Sequence, residues 1–352
     1  MSSRNKISLI LAWCGFAICV PYLALAVFFA DRKPDDRLET FHARAPKIEA
    51  LSLGSSHTRD LHFPSMGLSG YSFADDGGDL RIAEYKLRRL VDRLPNLTHV
   101  FIAVGPGMLS YDRILGIPGE FPSDYILYSP SVTSMSRLRS RDIVWALRAG
   151  LLSVRSTALE ANRRSREAFR RLVRGGNDGG SDDGLVCEFP DNPPDHPHED
   201  GILDGFARTP IDASCLTDAF DEKDVDRRMR TIRRVLDTEP RTPAINAGHL
   251  RSMANLLKET GAELVIVVSP TTRGYFEDPR MKELWSIERP MLEEVAEADN
   301  VRMVDVHDLF FDMDYRTDNK WFSDPDHLSY QGAVEFSGAV RSELFAEGAE
   351  GQ

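Results

Sequence analysis

Apolar positions along this chain fall into short dense runs, separated by stretches in which they recur every three or four residues. Thr98 to Val104 (THVFIAV) and Glu263 to Val268 (ELVIVV) are apolar nearly throughout, the pattern of strands buried on both faces of a parallel sheet. Ile48 to Leu53 alternates enough to read as a buried strand, and Val301 to Val306 as a short strand. Leu80, Ile82, Ala83, Leu87, Leu90, Val91 and Leu94 predict a helix over about 79–93. Further helices are predicted over Pro243 to Glu259, closed by Gly261, over 281–298, and over Tyr330 to Phe345. Strand, helix and strand in this order make βαβ units. The expected fold is therefore α/β, a three-layer α/β/α sandwich around a mainly parallel sheet. His62 to Gly78, with Pro64, Gly67, Gly70, Gly77 and Gly78, reads as loop.

Two stretches break this rhythm. Ile7 to Ala30 carries no charge and is flanked by Arg4 and Lys6 on one side and Asp31, Arg32 and Lys33 on the other. About 20 apolar residues suffice to span a bilayer, and the run is longer than the roughly 7–15 residues of a signal-peptide core. Residues 1–30 are thus expected to be an uncleaved transmembrane anchor, although Ala24-Leu25-Ala26 leaves cleavage open. Residues 31–46 read as a tether and 47–352 as the domain, with a helical and irregular insertion at about 108–240. Arginines and lysines are balanced across the span, and long domains translocate largely regardless of them. The expectation is a single-pass protein of the cell membrane whose body is extracytoplasmic.

Within the insertion, Ser136 to Arg174 predicts an arginine-rich helix, either a solvated face or a surface for an anionic polymer or lipid head groups. Cys187 and Cys215 are the cysteines outside the anchor, and whether they pair stays open. His196 and His198 lie among acids (DNPPDHPHED), but no second ligand cluster at a recognisable spacing accompanies them. Neither a metal nor a cofactor is expected.

A formal net charge of -12 argues against nucleic acid as a partner, since phosphate binding needs a basic face. The chemistry concentrates where the first strand runs into Gly54-Ser55-Ser56-His57-Thr58, for a glycine there allows a sharp exit that lifts a serine above the sheet's carboxyl edge. Far along the chain, Ser323-Asp324-Pro325-Asp326-His327-Leu328-Ser329 supplies a histidine with a carboxylate three residues before it. Serine, histidine and an orienting acid together point to acyl transfer. Asp326 rather than Asp324 as the orienting acid stays open. Ser55 is read as serving the turn through a side-chain to backbone hydrogen bond, and His57 as an exposed neighbour of the site.

These blocks resemble the SGNH (GDSL-type) hydrolases, in particular their membrane-anchored extracytoplasmic branch, and the resemblance covers Ile48 to Val104 and Glu263 to Leu344. Gly54-Ser55-Ser56 is similar to the first block of the D-alanine-transfer proteins of teichoic acid modification, Gly67-Leu68-Ser69-Gly70 to the second block, and Asp324 to His327 to the last. The resemblance implies an SGNH/flavodoxin-like sheet. It implies Ser56 as nucleophile, His327 as base, Asp324 as the acid that orients it, and the Ser56 and Gly70 amides as the oxyanion hole. One block departs. Gly105-Pro106-Gly107-Met108 stands where the family has an asparagine that donates to the oxyanion, and losing one such donor costs on the order of 100- to 1,000-fold in rate. The expected function is a serine esterase or O-acyltransferase acting on an ester-bearing or acyl-accepting glycan of the cell envelope or a secreted polysaccharide, within a polysaccharide-synthesis complex. A non-catalytic protein that binds glycan or scaffolds such a complex is the alternative.

Overall fold

A computed structural model of the chain describes residues 41–74, 77–112, 218–312 and 319–346. The sheet belongs to the compact unit that begins at Lys47. Its strands are β1 (Ala50–Ser52), β2 (Gly70–Ser72), β3 (His99–Val104), β4 (Glu263–Val268) and β5 (Val301–Asp305). All neighbours pair in parallel, in the order β2-β1-β3-β4-β5. The fold is α/β. This strand order reverses direction at β1 and β3, and open sheets of this kind leave a crevice at their carboxyl ends at that point.

The helices are α1 (Ser56–Arg59), α2 (Phe63–Met66), α3 (Leu80–Leu90), α4 (Asp218–Thr238), α5 (Thr242–Lys258), α6 (Arg273–Glu277), α7 (Pro279–Ala296) and α8 (Tyr330–Phe345). Alternation along the strands decides which side chains meet which helices. Phe101, Val265, Val267 and Val304 cluster with Phe63 and Met66 of α2 and with Phe336, Val340 and Leu344 of α8. Val100, Ile102, Leu264 and Ile266 alternate with them and are fully buried, and α5 packs against β4, α3 and α7. A further cluster joins Val225 and Ile232 of α4 to Tyr275 of α6 and to Met281 and Leu284 of α7.

The expected strands and helices around the insertion are present within a few residues of their predicted bounds, the last turn of the 79–93 helix being a 3-10 turn, Val91–Arg93. The stretch 62–78 is not all loop, for it contains α2 and β2. A three-residue strand is too short for periodicity to reveal, and pairing with β1 defines it. The chain beyond Phe322 adds a small antiparallel hairpin, β6 (Phe322–Asp324) with β7 (His327–Leu328). Among the described residues no helix is long and apolar enough to cross a membrane. The expected anchor at 7–30, the arginine-rich helix, the cysteines and the His196–His198 loop lie outside the described residues.

Candidate active site

The nucleophile candidate is placed by how β1 ends. Gly54 sits at φ 106°, where a side chain is strained, and the chain turns directly into α1 with Ser56 as its first residue. β3 runs beyond β1, so the Ala103 N–H has no strand partner on that side. The Thr58 hydroxyl accepts from it at 3.0 Å and thereby fastens α1 to the sheet. The turn is closed by the Thr58 N–H donating to the Ser55 carbonyl at 3.0 Å. The expectation for the Ser55 side chain is corrected: its hydroxyl is buried, does not cap α1, and has no hydrogen-bond partner among the described residues. Backbone geometry satisfies this turn without it.

The candidate base arrives on the hairpin. Pro325 and Asp326 form its two-residue turn, and proline's fixed φ suits the first turn position. Asp324 and His327 flank that turn as a cross-strand pair, which is why a carboxylate three residues before a histidine ends up beside it. The Asp326 N–H donates to Asp324 Oδ1 at 3.0 Å, the Thr272 N–H beyond β4 donates to the Pro325 carbonyl at 2.8 Å, and the Leu328 N–H donates to Asp60 Oδ2 at 3.2 Å. The last of these ties the hairpin to the end of α1.

The two segments meet. Ser56 Oγ lies 2.7 Å from His327 Nε2, and His327 Nδ1 lies 2.8 Å from each oxygen of Asp324. With Nδ1 donating to the carboxylate, Nε2 is left to accept the serine proton, the tautomer that a base requires. Asp326 Oδ1 also approaches Nδ1, at 3.0 Å. Of the two acids left open by the sequence, Asp324 makes the aligned hydrogen bonds and Asp326 stands beside it.

Behind the His327 imidazole lies a charged cluster that the sequence did not announce. Asp326 is 1% exposed, and Arg228 of α4 donates to its Oδ2. Burial by itself would raise the Asp326 carboxyl, but His327, Arg228 and His57 together hold it well below the usual carboxylate range. Asp224, one turn before Arg228, is pushed up to about 6 by burial first and by the negative charge of Asp326 second. Burial drives the pKa of the neighbouring Tyr275 hydroxyl upward, against the pull of the Arg228 charge. Periodicity held one signal for this: Val225, Arg228, Met229 and Ile232 follow the spacing of a single helical face, which puts an arginine at a core position.

Two further expectations change. His57 is 6% exposed rather than open to solvent; its ring stacks on that of His327 at 4.8 Å and 15°, and its Nε2 lies 3.6 Å from Asp326 Oδ2. Gly70 opens β2 in register with Ala50, at the amino edge of the sheet, whereas Ser56 lies beyond the carboxyl edge. The structure does not bring the two together. A Cβ at Gly70 would overlap the Phe63 ring, so the glycine there serves packing. The loop after β3 is held from below instead: the Gly107 and Ser110 amides donate to Glu288 of α7 at 2.8 and 2.7 Å, and burial pushes that carboxyl up to about 7.

His57, Asp326 and His327 also offer ligand atoms within 4.8 Å of one another. Stacked rings send their lone pairs into parallel planes that do not converge on one point, and both His327 nitrogens are already engaged. The set therefore suits proton transfer better than a cation. No family model matches this chain, and no curated protein does.

Proposed function

We propose that this protein is an SGNH-like serine esterase or O-acyltransferase, built on a three-layer α/β/α sandwich, that acts on an ester-bearing or acyl-accepting glycan. The observation that carries the reading is the chain of contacts from the Ser56 hydroxyl through His327 to Asp324 at the carboxyl edge of a parallel sheet. Ser56 attacks an ester carbonyl as His327 Nε2 takes its proton, while Asp324 holds the imidazole and balances its positive charge. The Ser56 amide at the head of α1 stabilises the oxyanion. Collapse of the tetrahedral adduct expels the alcohol, which leaves with the proton from His327. Water then attacks the acyl-serine to complete hydrolysis, or a sugar hydroxyl attacks it to complete transfer. The glycan as substrate, the envelope location and an anchor at residues 7–30 rest on the resemblance and on the apolar run.

The test treats the purified full-length protein with an activated acetyl ester and with a serine-reactive phosphonate. The expected result is turnover and single-site labelling that Ser56→Ala abolishes; equal labelling in that variant overturns the nucleophile assignment. A second reading, a glycan-binding protein without catalysis, is favoured by Gly105-Pro106-Gly107-Met108, which offers no side-chain amide to an oxyanion. A wild-type protein that binds glycan but is neither labelled nor active would establish it.

A further inference from the structure

The cluster behind the base points past the triad. Asp326 places a second carboxylate at Nδ1 of an imidazole that Asp324 already satisfies. Two buried carboxylates beside one imidazole repel each other unless positive charge compensates them. The groups facing Asp326 come from every element packed around it: Asp324 and His327 on the hairpin, His57 on α1, Asp224, Arg227 and Arg228 on α4, and Tyr275 on α6. Of the arginines, Arg227 pairs with Asp224 and has a side chain 56% exposed. Arg228 is the one bonded to Asp326 itself, with a side chain 22% exposed against 0% for its partner.

Its position is not loose. Val225 and Ile232 on the same face of α4 are fully buried against Tyr275 and Met281, and a Cβ at Gly107 would come 2.5 Å from Ile232, so the helix and the loop after β3 are close-packed.

We propose that Arg228 is a positioning residue for the base: by neutralising Asp326 it sets how much negative charge His327 meets at Nδ1, which makes the helix that follows the insertion an integral part of the active site. This rests on the reading that His327 is the base of Ser56. Asp324 then supplies orientation, whereas the Asp326–Arg228 pair keeps the local charge near neutral, so that Nε2 stays unprotonated and accepts from Ser56.

The experiment follows the His327 titration by NMR in full-length protein with labelled histidine, assigned through His327→Gln and His57→Gln, with phosphonate labelling of Ser56 measured alongside. Removing the cation in Arg228→Met is expected to raise the protonation midpoint of the His327–Asp326 pair by about one unit, and removing the acid in Asp326→Asn to lower the His327 midpoint by about as much. The double variant, which lacks both charges, is expected to return to within about half a unit of wild type. Arg228→Lys keeps the charge and is expected to stay near wild type, which separates charge from mere loss of packing. Midpoints that do not move in either single variant, or shifts that fail to cancel in the double, overturn the proposal. Loss of Ser56 dependence in the labelling arm overturns the catalytic reading instead, and the titration arm reports on Arg228 in either case.

Discussion

A serine hydroxyl is a weak nucleophile until a base stands within hydrogen-bond reach, and the 2.7 Å from Ser56 to His327 meets that requirement without substrate present. The neighbouring residues divide the remaining work. Asp324 holds both oxygens 2.8 Å from Nδ1, and Asp326 waits 3.0 Å away as a second acceptor. Replacing the orienting acid by its amide costs on the order of 10⁴-fold where the triad has a single carboxylate. Here Asp324→Asn is expected to lose less than that in kcat/KM on an activated ester, because Asp326 takes over the Nδ1 proton. Asp324→Asn/Asp326→Asn is expected to show the full loss. Equal activity in the single and double variants would mean that Asp326 never supports the base.

Among the elements, α1 is the most economical: four residues and their C-cap Asp60 present the Ser56 hydroxyl, cap a strand and brace the hairpin. It is fastened by Thr58 to the Ala103 amide and by Asp60 to the Leu328 amide. Thr58→Val keeps the shape but strands a buried N–H, which costs about 1–3 kcal/mol. The expected result is that loss of stability in denaturant unfolding, accompanied by a fall in Ser56 labelling rate as α1 loosens. Gly70 belongs to another element and another role. Gly70→Ala forces a methyl against the Phe63 ring and is expected to destabilise by about 1–3 kcal/mol as overpacking does, while leaving the labelling rate of the folded fraction unchanged. A labelling defect without a stability defect would return Gly70 to the site.

For the whole molecule, buried acids set how stability responds to pH. Glu288 is buried and its carboxyl is raised from 4.5 to about 7, and Asp224 is raised from 3.8 to about 6. The folded protein therefore keeps protons that the unfolded chain has already released. The stability this gives is complete below pH 4 and is lost as pH rises toward 7, by about 3 kcal/mol for Glu288. Glu288→Gln removes the titration, though its amide also satisfies one backbone donor fewer. Its unfolding free energy is expected to start lower at pH 5 and to decline less between pH 5 and 7.5 than that of wild type, as measured by urea titration across that range. Parallel curves for the two proteins would place the pH dependence elsewhere.

How much of this was legible in the sequence depends on whether the cause is local. Runs such as ELVIVV bury both faces wherever they fold, so β3, β4 and the helices α3, α5, α7 and α8 were readable from composition and period alone. Gly54 before Ser56 and Pro325 between Asp324 and His327 act through their own backbone preferences, and they marked the two halves of the site. Apart from the meeting of Ser56 with His327, what depends on one segment packing on another escaped. β2 exists because β1 pairs with it, and that pairing puts Gly70 at the amino edge of the sheet, opposite the end at which Ser56 lies. His57 is covered because the hairpin lies over it, and Arg228 reaches Asp326 because α4 packs on α6. Sequence by itself determined the longer strands and helices and singled out the candidate serine, histidine and acid, since those follow from propensity, period and local motif. Only the tertiary structure decided which charges share a buried space, because a buried charge is set by neighbours that the chain supplies from a hundred residues away.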